Sequence, residues 1–156
     1  MLRTTRDIDA TVEAGDVDLG ELVTALAAHG IVPRVDDAVT FATRHQVLLM
    51  KHEQTEVPID LSLAWLPFES EAIAAAEFVE IAGVRVRVAR AEDLVIYKAV
   101  AWRSQDQEDI KRLLRLHRRS MNIERVRRLV ADFADAMEEP ERVTDLERLL
   151  RRTERK

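Results

Sequence analysis

The sequence of 156 residues contains no cysteine, only four glycines, and four histidines that are scattered along the chain. The absence of cysteine excludes a disulfide framework, thiolate chemistry and a zinc–thiolate centre. So few glycines leave no Walker-type phosphate loop, and the histidines lack the paired spacing of a zinc site. No apolar run reaches membrane-spanning length, and the N-terminus has no signal-peptide pattern. We therefore expect a soluble, cytoplasmic protein that has no membrane partner.

Charged residues make up 34% of the chain, and the two signs are unevenly distributed. Residues 1–90 carry 8 basic and 15 acidic side chains, whereas residues 91–156 carry 16 basic and 14 acidic ones. This distribution is typical of a protein that binds cations at one place and polyanions at another, and equally of a protein with two solvated faces. Charge alone does not decide between these interpretations.

The period of the hydrophobic pattern changes near residue 90. Before this point, strand-like alternation and short helical stretches predict a mixed α/β core over residues 1–90, which ends in a hairpin signal around Ala82 and Gly83. After it, the helical period predicts helices over the ranges 91–104, 107–119, 122–137 and 140–154. The predicted fold class is α/β (α+β): a mixed sheet with flanking helices, followed by a C-terminal helical bundle over residues 91–156.

Two aspartates, Asp7 and Asp9, stand two residues apart in the first predicted strand. Side chains at positions i and i+2 of a strand share one face, so both carboxylates point the same way, whereas Ile8 faces the other layer. Two parallel carboxylates can hold a hard cation for phosphoryl or nucleotidyl chemistry. The alternative is that they form ion pairs with Arg3, Arg6 or a neighbouring strand, and the short D-x-D pattern leaves both interpretations open.

A third acid, Asp60, lies between Ile59 and Leu61 in an otherwise apolar predicted strand. An unpaired charge at such a position is costly. Asp60 is therefore the predicted third carboxylate of the cation site, and its presence favours the metal interpretation of the other two acids.

Lys98 is the one charge in the middle of a predicted helix that is apolar around almost its whole circumference. A buried ammonium needs an anionic partner, for which either a triphosphate or an acid of the chain would serve. The alternative is that only the stem is buried while the amine reaches water. Farther along, Asp106 stands where an N-cap belongs and Asp109 follows one turn later, positions that helix capping and dipole pairing explain without a function.

Four blocks follow one another along the chain: RTTRDIDATV, VPIDLSLAW, VEIAGVRVRVA and AEDLVIYKAVAWRSQDQEDI. Together they resemble the minimal nucleotidyltransferases of the DNA polymerase beta superfamily, and most closely the abortive-infection toxin type of bacterial toxin–antitoxin systems. The resemblance implies a nucleotidyltransferase-like fold. It also implies a metal-dependent transfer of a nucleoside monophosphate from an NTP to an RNA, protein or small-molecule acceptor.

The resemblance assigns roles to individual residues. It implies that Asp7, Asp9 and Asp60 are catalytic and bind Mg²⁺, with Asp60 also orienting or deprotonating the incoming hydroxyl. Nucleotide binding falls on Lys98, Arg103, Asp106, Arg6 and Thr5, of which Lys98 would neutralise phosphate charge. The implied partners are the nucleoside triphosphate, a tRNA or protein acceptor, and an antitoxin.

The chain departs from the resembled family before the first block. In the family, a strand that ends in Gly-Gly or Gly-Ser precedes the R-T-x-D-I-D pattern and cradles the triphosphate, whereas here Arg3 follows almost at once after the first residue. The missing neighbour predicts a free sheet edge and hence a homodimer. It also raises the alternative of a catalytically inactive module of the same fold that binds a partner protein or RNA.

The segment 111–128 carries eight Lys or Arg side chains against the single acid Glu124. One interpretation is a surface that contacts the phosphates of an RNA acceptor. No aromatic residues interleave to stack bases, which argues against single-strand recognition. The other interpretation, which the frequency of charged helix faces favours, is a solvated face paired with acids of neighbouring helices.

Overall fold

The structure is a computed structural model that describes residues 7–154, apart from the side chain of Glu154. Within these residues it contains a four-stranded mixed sheet, a two-stranded hairpin and seven helices, which confirms the predicted α/β fold class with C-terminal helices. The chain divides into two compact units, Met1–Ala74 and Ala75–Lys156. This division precedes the hairpin, whereas the domain boundary predicted from the sequence follows Arg90, and that boundary stays a prediction.

The first unit contains, in the described part, four strands and three helices: β1 (Ile8–Val12), α1 (Leu19–Ala27), β2 (Ile31–Pro33), α2 (Ala38–His45), β3 (Val47–His52), β4 (Pro58–Leu63) and α3 (Pro67–Ala74). The strands form one sheet in the order β1-β4-β3-β2. Strand β1 pairs with β4 in parallel, and the other two pairs are antiparallel. Strand β1 is therefore an edge strand of the sheet.

The two faces of this sheet carry different side chains. One face presents apolar residues, among them the fully buried Leu48 and Met50, which pack with residues of α1 and α2 into the core of the unit. The other face presents the residues between them, including Asp9, Lys51 and Asp60, which are exposed or half-buried. Because successive residues of a strand point to opposite faces, the alternation in the sequence produces this division.

Local sequence signals set both ends of α1. The carboxylate of Asp18 accepts hydrogen bonds from the backbone N–H groups of Gly20 and Glu21, at 2.7 and 3.0 Å, and so caps the helix. Gly30 has a φ of 72°, a left-handed conformation that glycine adopts without strain, and the chain turns there into β2. Both ends of the helix thus follow from residues close to them in the sequence.

The second unit contains a hairpin and four helices: β5 (Glu77–Ile81), β6 (Val84–Val88), α4 (Ala91–Ala101), α5 (Ser104–His117), α6 (Ile123–Ala136) and α7 (Glu141–Glu154). Helix α4 packs against the other three helices. None of its residues from Ala91 to Val100 is exposed, which confirms the prediction of a helix buried on all sides. In the part of the chain that the structure describes, no helix combines the length and apolar character needed to cross a bilayer.

Helix α5 begins earlier than its pattern predicted. The sequence placed the helix at 107–119 with Asp106 as its N-cap, whereas the helix begins at Ser104 and its N-cap is Arg103. The carboxylate of Asp106 accepts a hydrogen bond from the backbone N–H of Arg103 at 3.0 Å, which is the contact from N3 to the N-cap found in a capping box. This contact sets the start of the helix. Asp106 therefore caps from within the first turn, and the prediction of Asp106 as the N-cap residue was wrong.

Candidate functional site

The acids Asp9 and Asp60 lie side by side on neighbouring strands of the first unit. They are register partners in the parallel pairing of β1 with β4, so their side chains leave the same face of the sheet. Asp7 directly precedes β1 and is exposed to solvent. The structure therefore brings together two of the three predicted metal ligands on the open face of the sheet, at its β1 edge.

Arg34 is the cation that faces these acids, and sequence reasoning missed it. The residue directly follows β2, and its guanidinium forms a hydrogen-bonded ion pair with the carboxylate of Asp60. The side chains are 32% and 38% exposed, so solvent and ions reach the pair. Arg34 and Asp60 are separated by β3 in the sheet, and only knowledge of the strand order could have revealed their proximity from the sequence.

The chemistry of the predicted ligands suits a hard divalent cation. Magnesium prefers oxygen donors, and each of Asp7, Asp9 and Asp60 supplies a carboxylate that solvent can reach. In the arrangement that the structure describes for residues 7–154, no three side chains of Asp, Glu or His form a group that could hold a metal ion. The three acids thus fit the cation by the chemistry of their donor atoms, but the described arrangement does not gather them around one point, and Asp60 is engaged by Arg34.

Lys98, the lysine of α4, is bound by two carboxylates of α5. Its Nζ lies 2.9 Å from Oδ2 of Asp109 and 3.4 Å from Oδ1 of Asp106, and 27% of its side chain is exposed. Of the partners that the sequence allowed, the structure thus supplies acids of the chain. Asp109, which the sequence explained by dipole pairing alone, is the nearer of the two.

The structure describes one of the three remaining predicted site residues. Arg103 is the N-cap of α5 and precedes Asp106 by three residues. Thr5 and Arg6 lie outside the described residues. In the second unit the structure therefore places Lys98 beside Asp106 and Asp109. In the first unit Asp60 has Asp9 as its register partner and Arg34 as its ion-pair partner.

Comparison with known protein families gives one match. Residues 13–151 match the model of a family described as "Nucleotidyl transferase of unknown function (DUF2204)". The chain belongs to this nucleotidyl transferase family. A search among curated proteins found no match. The matched range contains Asp60, Lys98, Arg103 and Asp106. Asp7 and Asp9 precede this range, and their metal-binding role stays a prediction.

In the second unit, α4 and α6 are joined by a buried ion cluster that the sequence did not reveal. Asp93 of α4 is fully buried, and its two oxygens lie 3.0 Å from Nε of Arg90 and 2.6 Å from Nη1 of Arg125. The neighbouring Glu92 accepts the backbone N–H of Asn122 at 3.0 Å, at the start of α6. The hydrogen bond that Arg90 donates to Asp93 raises the pKa of Arg90 above its ordinary value.

The basic segment 111–128 divides into paired and exposed cations. Arg125 binds Asp93, Arg127 binds Glu147 of α7, and Arg118 donates to the backbone carbonyl of Leu150. Arg125 and Arg127 therefore pair with acids of neighbouring helices, as the second interpretation of the segment predicted, and RNA binding by the segment stays a prediction. Four arginines of the segment stay exposed: Arg112, Arg115, Arg119 and Arg128.

The Arg127–Glu147 pair predicts a pH dependence of stability. The hydrogen bond from Arg127, at 2.6 Å, lowers the pKa of Glu147 below its ordinary value of 4.5. A carboxyl group whose folded pKa is depressed stabilises the protein above its unfolded pKa, and this stabilisation is lost as the pH falls through the folded value. Between about pH 5 and about pH 3, urea unfolding should thus show a steeper loss of stability for the wild type than for Arg127→Gln.

The control for this measurement is Arg128→Gln, which removes an exposed cation one residue away on the same helix. We expect this variant to keep the slope of the wild type, and Glu147→Gln to share the shallower slope of Arg127→Gln. Equal slopes for Arg127→Gln and the wild type would contradict the assignment of the pair.

Proposed function

We propose that this protein transfers a nucleoside monophosphate from a nucleoside triphosphate to an acceptor, with a divalent cation bound by Asp7, Asp9 and Asp60. The observation that carries the proposal is the register pairing of Asp9 with Asp60 on parallel strands, within a chain of a nucleotidyl transferase family. Carboxylates placed side by side repel each other, and a cation that both can bind relieves this repulsion.

The three acids have two kinds of role in the proposed reaction. Asp7 and Asp9 would hold the cation through their carboxylate oxygens, next to the triphosphate. Asp60 would orient the acceptor hydroxyl or take its proton as the hydroxyl attacks the α-phosphate. Bound Mg²⁺ would supply charge neutralisation for the phosphoryl group and for the departing pyrophosphate.

The other residues assigned to the nucleotide are Lys98, Arg103 and Asp106, together with Thr5 and Arg6. In the proposal, the ammonium of Lys98 neutralises phosphate charge, and Asp106 and Asp109 hold that ammonium in place. The guanidinium of Arg103 is a further phosphate-binding group.

The acceptor and the biological context belong to the same proposal. The acceptor is an RNA such as a tRNA, a protein or a small molecule, and the protein acts as the toxin of a toxin–antitoxin pair in the cytoplasm, where NTPs and Mg²⁺ are available. The four exposed arginines of segment 111–128 support an RNA acceptor through phosphate contacts. A homodimer that pairs through β1, an edge strand of the described sheet, completes the proposal.

Calorimetric titration with Mn²⁺, used in place of Mg²⁺, and with each of the four NTPs tests the site. We expect heat with at least one metal–NTP pair, and an affinity at least about tenfold lower in the double variant Asp7→Asn/Asp9→Asn, because two of the three metal ligands lose their charge. The matched control is Asp16→Asn/Asp36→Asn, which removes two exposed charges from the same unit. It should bind as the wild type does.

Transfer itself is measured with NTPs labelled at the α-phosphate and mixed with total RNA, with total protein or with neither. Label that becomes attached to one fraction, and is lost with Asp9→Asn, identifies the acceptor class. Binding that is absent with every NTP, or unchanged in the Asp7→Asn/Asp9→Asn variant, would contradict the proposed function.

A second candidate function is a catalytically inactive module that binds a partner protein or RNA. Two observations favour it: Asp60 is already paired with Arg34, and Lys98 is already paired with two acids. The two functions differ in the titration, since an inactive module gives no heat with metal and nucleotide.

A further inference from the structure

Arg34 is held at a defined place on the sheet by its backbone. Its N–H donates to the carbonyl of Leu49 at 3.0 Å, which continues the antiparallel pairing of β2 with β3 beyond the end of β2. Leu49 is in turn the register partner of Asp60, and Asp60 is the register partner of Asp9. Arg34, Leu49, Asp60 and Asp9 therefore form one row across all four strands, with their side chains on the open face.

The ion pair of Arg34 with Asp60 lies in a partly solvated place. Each side chain is about one-third exposed, at 32% and 38%, in contrast to the fully buried Asp93 of the second unit. Exposed ion pairs contribute little to stability, because water solvates both charges when they separate. The pair can thus be broken by a stronger ligand for either partner at small cost.

A divalent cation at the proposed site is such a ligand for Asp60. The guanidinium now contacts Oδ1 of Asp60, one of the two oxygens that would coordinate the cation, so the cation and Arg34 compete for one carboxylate. Displaced from Asp60, the guanidinium presents a fork of N–H donors beside the cation site. Phosphate oxygens match this fork in charge and spacing.

We propose that Arg34 exchanges partners during nucleotide binding. It holds Asp60 in the nucleotide-free protein, and it binds a phosphate group of the nucleoside triphosphate once the cation occupies Asp60. This inference rests on the proposed function and adds to it a residue that lies outside the sequence blocks which carry the resemblance.

Lys51 supplies a matched comparison on the same face of the sheet. It follows Leu49 by two residues on β3, and its Nζ lies 2.7 Å from the carboxylate of Glu56. Its side chain is 32% exposed, as is that of Arg34. Lys51→Ala therefore removes one positive charge of equal exposure from the same face, but leaves the Asp60 pair intact.

The test measures two affinities by calorimetry in the full-length chain: that for Mn²⁺ alone, and that for the NTP at saturating Mn²⁺. In Arg34→Ala we expect Mn²⁺ alone to bind about threefold tighter, because its competitor for Asp60 is gone. The NTP should bind about tenfold more weakly, because a charge-assisted phosphate contact is lost. Arg34→Lys should restore much of the NTP affinity, and Lys51→Ala should change both affinities less than twofold.

These opposite changes separate partner exchange from a structural role. If Arg34→Ala weakens Mn²⁺ and NTP binding together, Arg34 merely supports the fold of the site, and the inference is overturned. If its NTP affinity equals that of the wild type, the phosphate contact is absent, and the inference is overturned while the proposed function stands. A wild type that binds neither Mn²⁺ nor any NTP would overturn both. Circular dichroism verifies folding, and Arg34→Gln replaces Arg34→Ala if the alanine variant does not fold.

Discussion

Replacement of Asp93 by alanine is expected to lower the free energy of unfolding by about 3–5 kcal/mol. Asp93 is fully buried on α4, and its carboxylate is contacted by Arg90 at 3.0 Å and by Arg125 at 2.6 Å. The side chain of Arg125 is only 13% exposed, so removal of the acid leaves a guanidinium largely shielded from water and without its closest anion. The cost is that of a poorly compensated charge in the interior.

A double-mutant cycle tests this origin of the effect. The single variants are Asp93→Leu and Arg125→Met, and the double variant replaces both charged groups by apolar ones. We expect each single variant to unfold at lower urea concentration than the double variant, because the double variant leaves neither of the two charges in the interior. If the double variant loses as much free energy of unfolding as the two single variants together, the loss comes from packing and not from a broken charge pair.

Leu150→Ala is expected to lower the free energy of unfolding by about 2–5 kcal/mol. Leu150 lies on α7 with no exposed surface, and α7 packs against α4, α5 and α6. Truncation removes apolar surface from the core and leaves a cavity that the surrounding helices fill only in part. Urea unfolding followed by the fluorescence of Trp102 measures the effect.

Two variants sharpen this measurement. Leu116→Ala makes the same chemical change on α5, where the side chain is 76% exposed, and should change stability by less than about 0.5 kcal/mol. A Trp65→Phe background removes the one tryptophan of the first unit, which is 67% exposed, so that the signal comes from the second unit. Equal effects of Leu150→Ala and Leu116→Ala would contradict the packing of α7.

Most elements of the fold could be predicted from the sequence, because their signals are local. The cap at Asp18, the turn at Gly30 and the alternation of Val84, Val86 and Val88 each depend on residues only a few positions apart. The same locality explains the main error in the helices. The start of α5 is set by the bond between Asp106 and the backbone of Arg103, which competes with the N-cap position that composition favoured.

Contacts between distant segments could not be predicted, because they depend on strand order and helix packing. Helix α2 and strand β3 lie between Arg34 and Asp60 in the chain, and nothing near either residue indicates their ion pair. The cluster of Asp93 with Arg125 is hidden for the same reason, since the charges look like ordinary first-turn residues of two helices. A burial pattern shows that a charge needs a partner, but not which partner it takes.

The candidate site could likewise be predicted only in part from the sequence. The residue types of Asp7, Asp9 and Asp60 sufficed to predict a carboxylate site, and the adjacency of Asp9 to Asp60 follows from a parallel strand pair that the sequence did not specify. Binding of Mg²⁺ and nucleotide by these residues stays a prediction.

The parallel pairing of β1 with β4 has a consequence for the order of folding. Strand β1 leaves the ribosome before the rest of the described sheet, yet its only neighbour in that sheet follows after two helices and two further strands. A loop of that length closes more slowly than the short loop of the β3–β4 hairpin. We expect the β1–β4 ladder to be the last strand pairing made in this sheet, so Asp9 and Asp60 meet only after β2, β3 and β4 have been synthesised.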